Sequence, residues 1–250
     1  MMFQDKVILV TGAAGGVGHA IVRSFAAEGA RVAICDRNHD AGTTLVKELG
    51  DQGFLVSGDV TEPDSCNAMV AKTVDHFGKL DVLVNGAGVI HVGDAAGTSP
   101  AQWRHVLAVN LDGAFYMSRA AMPHLLASRG SIVNIGSDFS FVGGEQLVAY
   151  CASKGGMLMM TKAMALDHAN QGVRINIVCP TVIDTPMVDS LARQLGNPAE
   201  EQRKIYDASV PTGRMIAPQE VADSVLFLAS DKAGHITGTS LVIDGGVTAR

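Results

Sequence analysis

The sequence lacks the features that mark membrane-spanning, secreted and disulfide-bonded proteins. No apolar run approaches the ~18 residues that a membrane helix requires, and the first residues show no signal-peptide pattern. There are only four cysteines, and their wide spacing fits neither a disulfide framework nor a zinc site: Cys35, Cys66, Cys151 and Cys179. We therefore expect free thiols, no metal, no membrane association and a cytoplasmic location.

An excess of positive charge is also missing. The 19 Lys and Arg residues are outnumbered by 25 Asp and Glu residues, so the formal net charge is −6, which argues against a nucleic-acid partner. Aromatic residues make up only 5% of the chain, yet 47% of its residues are hydrophobic, which is enough for a core and excludes disorder. Glycine is abundant, with 28 residues, which predicts many tight turns and close backbone approaches.

Short β-branched runs alternate with helical stretches along the chain. Strands that are apolar throughout are typical of a parallel sheet covered on both faces. We predict one α/β domain over residues 1–250, with a doubly wound, Rossmann-like, mainly parallel seven-stranded sheet and helices on both faces. The predicted strands are Val7–Val10, Arg31–Ile34, Phe54–Val56, Leu80–Val84, Ser131–Ile135, Arg174–Val178 and Leu241–Ile243.

The first predicted strand runs into a glycine-rich turn, Gly12 to Gly18, followed by a helix. Such a turn lets the backbone approach a pyrophosphate at a helix N-terminus, although a tight turn without a ligand gives the same pattern. Asp36 ends the second strand, where a carboxylate can bind ribose hydroxyls and repel a 2′-phosphate. The pattern therefore predicts NAD rather than NADP, with Arg37 as a residue that could instead hold the phosphate.

A second chemical signal is a tyrosine four residues before a lysine. Tyr150 and Lys154 share one face of a predicted helix, and a nearby ammonium favours the phenolate and lowers the pKa of the phenol. Chance alone produces such a pair in about one of ten proteins of this composition, so the pair by itself is a weak signal. Ser137, however, follows the strand Ser131–Ile135, at the edge where such sheets bind ligands.

In this order and at these spacings, the motifs resemble those of the short-chain dehydrogenases/reductases, over essentially the whole chain. The segments that match the family's patterns are Thr11–Gly18, Asn85–Gly88, Asn110, Ser137 with Tyr150 and Lys154, and Pro180–Thr185. Two positions depart from those patterns. Thr181 replaces the usual glycine after Pro180 and is expected to narrow the pocket, and Gly86 replaces an asparagine that would supply a hydrogen-bonding side chain.

The resemblance implies reversible hydride transfer with a nicotinamide cofactor. Tyr150 would act as the acid or base, Lys154 would lower the Tyr150 pKa and hold the nicotinamide ribose, and Ser137 would bind the reacting oxygen. Asn110 would hold a water molecule in a proton relay. The cofactor would bind Gly12, Gly15, Gly16, Val17, Gly18, Asp36, Arg37, Asp59, Val60, Asn85, Ala87, Gly88, Tyr150, Lys154, Pro180, Ile183 and Thr185.

Polar residues dominate the segments expected around the substrate. Asp138 and Gln146 join Ser137 and Tyr150 as expected substrate contacts, with Glu145 and His91 nearby. We therefore expect a small polar secondary alcohol, such as a sugar, polyol or hydroxy acid. Apolar side chains in the same segments leave a rival reading open: Phe139, Phe141, Val142 and Leu147.

Two alternatives differ from this expectation. One is a 3-oxoacyl thioester reductase, and the other is a protein that senses NAD(H) without turnover. The sensor could dispense with the four catalytic residues, all of which are present. The resemblance also implies a homotetramer, since members of the family commonly pair long helices across a two-fold axis. In agreement, the helices around Tyr116–Ser128 and after Tyr150 are too apolar to leave one face in water.

Overall fold

The structure is a computed structural model and describes residues 1–249. All seven predicted strands are present and every pairing between them is parallel, in the order β3-β2-β1-β4-β5-β6-β7. The predicted fold class is therefore confirmed. The strands are β1 Val7–Thr11, β2 Arg31–Asp36, β3 Gly53–Ser57, β4 Val82–Asn85, β5 Ser131–Ile135, β6 Arg174–Pro180 and β7 Ser240–Ile243.

Nine α-helices lie in the described part of the chain, and local signals set their ends. Proline occupies the first turn of four of them, where its missing N–H costs nothing, and Pro198 is the N-cap of α8. Gly78 ends α3 with φ at +84°. The helices are α1 Gly16–Ala27, α2 His39–Leu49, α3 Pro63–Phe77, α4 Pro100–Leu107, α5 Gly113–Ser128, α6 Val148–His168, α7 Pro186–Leu195, α8 Ala199–Ser209 and α9 Pro218–Ala229.

The sheet is buried on both faces, as its apolar strands predict. On β1, Ile8 and Val10 contribute to a core with α1 and α9, whereas Val7 and Leu9 contribute to a second core with α3 and α5. This division follows from the alternation of side chains along a strand. Among residues 1–249, no helix combines the length and the apolar composition needed to cross a membrane.

Strand β4 begins later than its apolar pattern predicts. Leu80 is fully buried but precedes the strand. Asp81, which separates them, accepts a hydrogen bond from the Val7 N–H to its Oδ2 at 2.8 Å. Burial explains the apolar character of Leu80 without strand pairing, so periodicity alone extends the strand too far.

The strand order creates a crevice between β1 and β4. After β3 the chain crosses to the other side of β1, so the segments that follow the carboxyl ends of β1 and β4 diverge there. Ligands of open parallel sheets bind at such a switch point. The carboxyl ends of β5 and β6 lie along the same edge and bring Ser137 and Pro180 to it.

Candidate active site

The glycine-rich turn after β1 fits a phosphate group. Gly12 has φ at +64°, and a Cβ there would lie 2.8 Å from the Ala87 Cα. A Cβ on Gly18 would lie 2.1 Å from the Gly12 carbonyl oxygen, so no larger residue fits at either position. Gly15 caps α1 without a side-chain hydrogen bond. The first N–H groups of α1 are thus available to an anion in the cleft.

Thr11 is a residue of this turn that sequence reasoning missed. Its Oγ1 accepts hydrogen bonds from the N–H groups of Gly86 at 3.1 Å and Ala87 at 3.2 Å, which ties the end of β1 to the segment after β4. A Cβ on Gly86 would lie 2.8 Å from the Thr11 carbonyl oxygen. The close approach of these two segments therefore leaves no room for a side chain at position 86.

The side chain of Asn85, which the resemblance implies as a cofactor contact, does not line the cleft. The side chain is buried beneath the cleft, where Nδ2 donates to Asn134 Oδ1 at 2.8 Å and to Ser118 Oγ at 3.1 Å. Asn85 ends a strand, and a strand-end side chain points to either face of the sheet. Its amide links β4 to β5 and α5.

The far end of the cleft carries the charges that the sequence predicts. Asp36 is held by two backbone donors, because its Oδ2 accepts from the Ala14 N–H at 2.9 Å and its Oδ1 from the Asn38 N–H at 2.8 Å. Arg37 lies 3.6 Å from Asp59, measured from Nη1 to Oδ2. The Arg37 guanidinium is thereby turned toward a carboxylate. Hydrogen bonds from Thr61 keep the Asp59 pKa below its usual range.

Tyr150, Lys154 and Ser137 meet at the other end. Lys154 is 4% exposed and its Nζ donates to the Ile135 carbonyl oxygen at 2.7 Å. Burial lowers the pKa of this ammonium to about 8. The Nζ atom lies 5.7 Å from the centre of the Tyr150 ring, which places the phenol and the ammonium on the same side of α6.

Burial also controls the pKa of the Tyr150 phenol. It raises this pKa, whereas the sequence predicts a lowered one. Burial raises the Tyr150 pKa to about 12, a hydrogen bond with Ser137 acts to lower it, and the Asp138 carboxylate raises it further. The phenol is therefore protonated at neutral pH, and burial outweighs the lowering that the Tyr150–Lys154 spacing predicts.

Asn110 lies in a π-helical turn, Ala108–Asp112, that joins α4 to α5. Its buried amide accepts from the Val89 N–H at 2.8 Å and donates to the Val89 carbonyl at 2.9 Å and to Ser153 Oγ at 3.0 Å. The side chain thus fixes the segment after β4 to α6. Such π turns occur frequently at functional sites.

The segment after β6 covers the middle of the cleft. The Ile216 N–H donates to the Val182 carbonyl at 3.0 Å, and the Asp184 N–H donates to the Ile216 carbonyl at 2.9 Å. Thr185 reaches the glycine turn, since a Cβ on Gly16 would lie 2.8 Å from the Thr185 Cγ2. Thr181, which replaces the expected glycine, lines the cleft.

The substrate end carries a strained residue. Gln146 has φ at +55°, a left-handed conformation that is uncommon for a residue other than glycine. Its carbonyl accepts from the Gly93 N–H at 2.6 Å, which connects the segment before α6 to the one after β4. Asp138 lies beside it in the cleft and is 3% exposed.

A single cleft of about 1310 Å³ connects the two ends. Its volume and its phosphate-fitting turn suit a dinucleotide with a small substrate. The predicted residues that line it are Gly12, Gly15, Gly16, Val17, Gly18, Asp36, Arg37, Asp59, Val60, Ala87, Gly88, Ser137, Asp138, Gln146, Tyr150, Lys154, Pro180, Ile183 and Thr185. Asn110 lies behind Lys154 and Asn85 beneath the sheet edge, so neither belongs to the lining.

The buried ammonium of Lys154 predicts a pH-dependent change in stability. Between about pH 8 and 10.5 the unfolded lysine keeps its proton while the folded one loses it, so Lys154 makes the free energy of unfolding rise with pH. In Lys154→Met this rise is expected to disappear. The difference in the free energy of unfolding between the wild type and Lys154→Met is therefore expected to change by on the order of 2–3 kcal/mol between pH 7 and pH 10. Denaturant unfolding of both proteins at pH 7 and pH 10 measures it. A difference independent of pH would contradict the buried charge.

Comparisons with known proteins assign the chain to a family. A family model described as "Enoyl-(Acyl carrier protein) reductase" matches residues 12–248. The chain is 40% identical to meso-2,3-butanediol dehydrogenase of Serratia marcescens, covering 100% of this chain and 97% of that one. It is also 40% identical to L-fucose dehydrogenase of Bos taurus, covering 98% and 90%.

A solved structure agrees with these relatives. Aldohexose dehydrogenase of Thermoplasma acidophilum, in a ligand-free form, superposes with a TM-score of 0.89 at 37% identity and covers 99% of this chain and 96% of that one. The parallel sheet and the cleft at its carboxyl edge thus belong to a fold shared over the whole length of both chains. With the family match, the chain is a member of the short-chain dehydrogenase/reductase family.

Proposed function

We propose that the protein is an NAD-dependent dehydrogenase that interconverts a small polar secondary alcohol, a sugar or polyol, and its ketone or lactone. The observation that carries the proposal is one cleft with Asp36 at one end and Ser137, Tyr150 and Lys154 at the other. Its family membership makes it an oxidoreductase of alcohols. The choice of NAD and the role of Tyr150 rest on the site.

The residues of the cleft fit each part of this reaction. Bound NAD would accept the hydride from the carbinol carbon of the alcohol and return it in the reverse direction. Tyr150 supplies a proton to the carbonyl oxygen in reduction and takes the hydroxyl proton in oxidation. Since its phenol is protonated at neutral pH, oxidation is expected to accelerate as pH rises, whereas reduction slows. Ser137 holds the reacting oxygen beside Tyr150.

Lys154 and Asn110 position the reactants. Lys154 is anchored to Ile135 and shares one face of α6 with Tyr150, so it can hold the nicotinamide ribose against the phenol. Asn110 fixes Val89 and Ser153 and so holds the floor of the site around Lys154. These partners use both Nδ2 hydrogens of Asn110 and one acceptor position of its Oδ1. A water bound there would therefore donate to the second Oδ1 position or use a backbone group of the π turn.

The charges at the substrate end favour a neutral substrate. Asp138, Glu145 and His91 line this end, and Lys154 is its only Lys or Arg within the described residues. A hydroxy acid would place its carboxylate near two other carboxylates without a paired cation. The relatives named for butanediol, fucose and aldohexoses support the same class.

A 3-oxoacyl thioester reductase is the rival within the family, and the matching family model is described as a reductase of an acyl-carrier-protein substrate. An acidic carrier protein would require basic residues near the site. The segment at the end of α6, Asp167–Gln171, contains no Lys or Arg, and the net charge is −6. Both features favour the alcohol dehydrogenase.

The substrate class predicts a preference among secondary alcohols and ketones. We expect kcat/KM for hydrophilic secondary alcohols such as L-fucose and meso-2,3-butanediol to exceed that for bulky hydrophobic alcohols by about 100-fold, because buried polar groups left unpaired cost about 1–3 kcal/mol each. Initial rates with a panel that includes acetoacetyl thioesters measure it. A hundredfold preference for thioesters or hydrophobic ketones would instead favour the thioester reductase.

The exposed apolar residues support a homotetramer as the working assembly. Phe115 on α5 is 46% exposed, and Met159 and Leu166 on α6 are 55% and 82% exposed. Burying such faces against further copies would remove them from water. Light scattering on a sizing column is expected to give four times the 26.0 kDa chain mass and a smaller mass for Leu166→Glu. A mass of one chain for the wild type at micromolar concentration would refute the assembly.

A further inference from the structure

Asp138 has a hydrogen-bonding arrangement that the reaction described above does not use. Its Oδ1 accepts the Ser137 Oγ–H at 2.8 Å and the Phe139 N–H at 2.9 Å. The residue is 3% exposed, yet it lines the cleft. One side of the carboxylate is therefore fixed by its own segment, and the other side faces the space where a substrate would bind.

The second oxygen of this carboxylate has no donor of its own. Among residues 1–249, no group donates a hydrogen bond to Asp138 Oδ2, although an ionised carboxylate has about four acceptor positions. This oxygen is not one of the buried side-chain atoms without a partner, so solvent in the cleft reaches it. The nearest cation on α6, Lys154, donates to Ile135 instead. A donor from the substrate would complete the site.

Ser137 can donate only one hydrogen bond, because its hydroxyl group has a single hydrogen. That hydrogen is donated to Asp138, and the Phe139 N–H also approaches Ser137 Oγ at 3.3 Å. Ser137 can donate to a reacting oxygen only if Asp138 gives up its hydrogen. A second donor that satisfies Asp138 would release it, since a hydroxyl rotates freely about its C–O bond.

We propose that Asp138 is the binding site for a second hydroxyl group of the substrate, on the carbon next to the one that is oxidised, so that the substrate is a vicinal diol. The second hydroxyl donates to Asp138 and frees the Ser137 hydroxyl for the reacting oxygen. Asp138 and Ser137 are adjacent in the chain and both line the cleft, an arrangement that suits two adjacent hydroxyl groups of one diol. This proposal rests on the proposed function.

The test compares meso-2,3-butanediol with 2-butanol, which lacks only the second hydroxyl. We expect the wild type to prefer the diol by about 30-fold or more in kcat/KM, as a hydrogen bond to a charged group predicts. In Asp138→Ala the preference is expected to fall below threefold, because kcat/KM for the diol falls more than kcat/KM for 2-butanol. Asp138→Asn keeps an acceptor for Ser137 and is expected to give an intermediate preference.

Two further measurements show whether the preference for the diol comes from Asp138 or from another cause. Asp94→Asn removes one exposed carboxylate outside the cleft lining and is expected to keep the wild-type preference. Calorimetric titration of each alcohol into the enzyme saturated with NADH measures binding without turnover, and the diol is expected to bind more tightly only where Asp138 is intact.

Each outcome decides one of the two proposals. If the wild type oxidises both alcohols but prefers the diol less than threefold, or if Asp138→Ala lowers both kcat/KM values equally, the subsite is overturned and the proposed function stands. If the wild type turns over no secondary alcohol, the proposed function fails. The titration then decides the subsite by whether the Asp138 variants lose a selective affinity for the diol, and equal affinities in the wild type would overturn it.

Discussion

Replacing Tyr150 with phenylalanine is expected to lower kcat by about 100-fold or more and to leave NAD binding nearly unchanged. The substitution keeps the ring that packs edge-on against Phe139 and deletes the hydroxyl that we propose exchanges a proton with the reacting oxygen. General acid–base catalysis contributes typically 10²–10⁴-fold. Steady-state rates in both directions, together with NADH fluorescence titration, separate the loss of chemistry from a loss of binding.

Tyr116 provides the matched control. It lies on α5 outside the cleft lining, so Tyr116→Phe removes the same hydroxyl group from the same type of residue. We expect its kcat to stay within twofold of the wild type. Near-normal turnover in Tyr150→Phe would refute the assignment of the acid and base, whatever the control shows.

Cofactor choice is the second prediction with a large effect. We expect kcat/KM with NAD to exceed that with NADP by about 100-fold, because a 2′-phosphate beside the Asp36 carboxylate faces like charge. The carboxylate is held by Ala14 and Asn38, so it cannot easily turn away. In Asp36→Ala the difference between kcat/KM with NAD and kcat/KM with NADP is expected to narrow, mainly because kcat/KM with NADP rises.

Two variants test the cause of that preference. Asp40→Ala removes an exposed carboxylate in the first turn of α2, outside the cleft, and is expected to keep the wild-type ratio. Arg37→Ala tests whether Arg37 holds a phosphate. Since Arg37 faces Asp59, the Arg37→Ala substitution is expected to change the ratio of kcat/KM with NAD to kcat/KM with NADP only little. Equal use of both cofactors by the wild type would contradict the role given to Asp36.

The architecture could be predicted because its determinants are local. Each strand is buried on both faces, so its sequence is apolar throughout, and each interval between strands carries a helical period ended by glycine or begun by proline. Tyr150 and Lys154 were predictable as a pair because four residues on a helix fix their relation. Ser137 was predictable because the carboxyl end of β5 had to reach the same edge.

The remaining features depend on contacts between distant segments. Nothing in the spacing shows that Asn85 turns into the core toward Asn134, or that Thr11 ties two turns together. The state of Tyr150 was mispredicted because helical spacing gives the distance to Lys154 but not the degree of burial, which dominates the pKa. The left-handed conformation of Gln146 likewise accompanies a contact with a distant segment, since the Gln146 carbonyl accepts a hydrogen bond from the Gly93 N–H.

Single-turnover formation of NADH tests the central claim most directly. Enzyme in excess is mixed with limiting NAD and a neutral polyol such as meso-2,3-butanediol or L-fucose, and the appearance of NADH is followed by absorbance. We predict rapid formation of NADH with the wild type and formation about 100-fold slower or more with Tyr150→Phe. If NADH binds tightly but neither the wild type with any polyol nor the reverse reaction with any ketone shows turnover, the protein is a sensor of NAD(H) and the catalytic account is wrong.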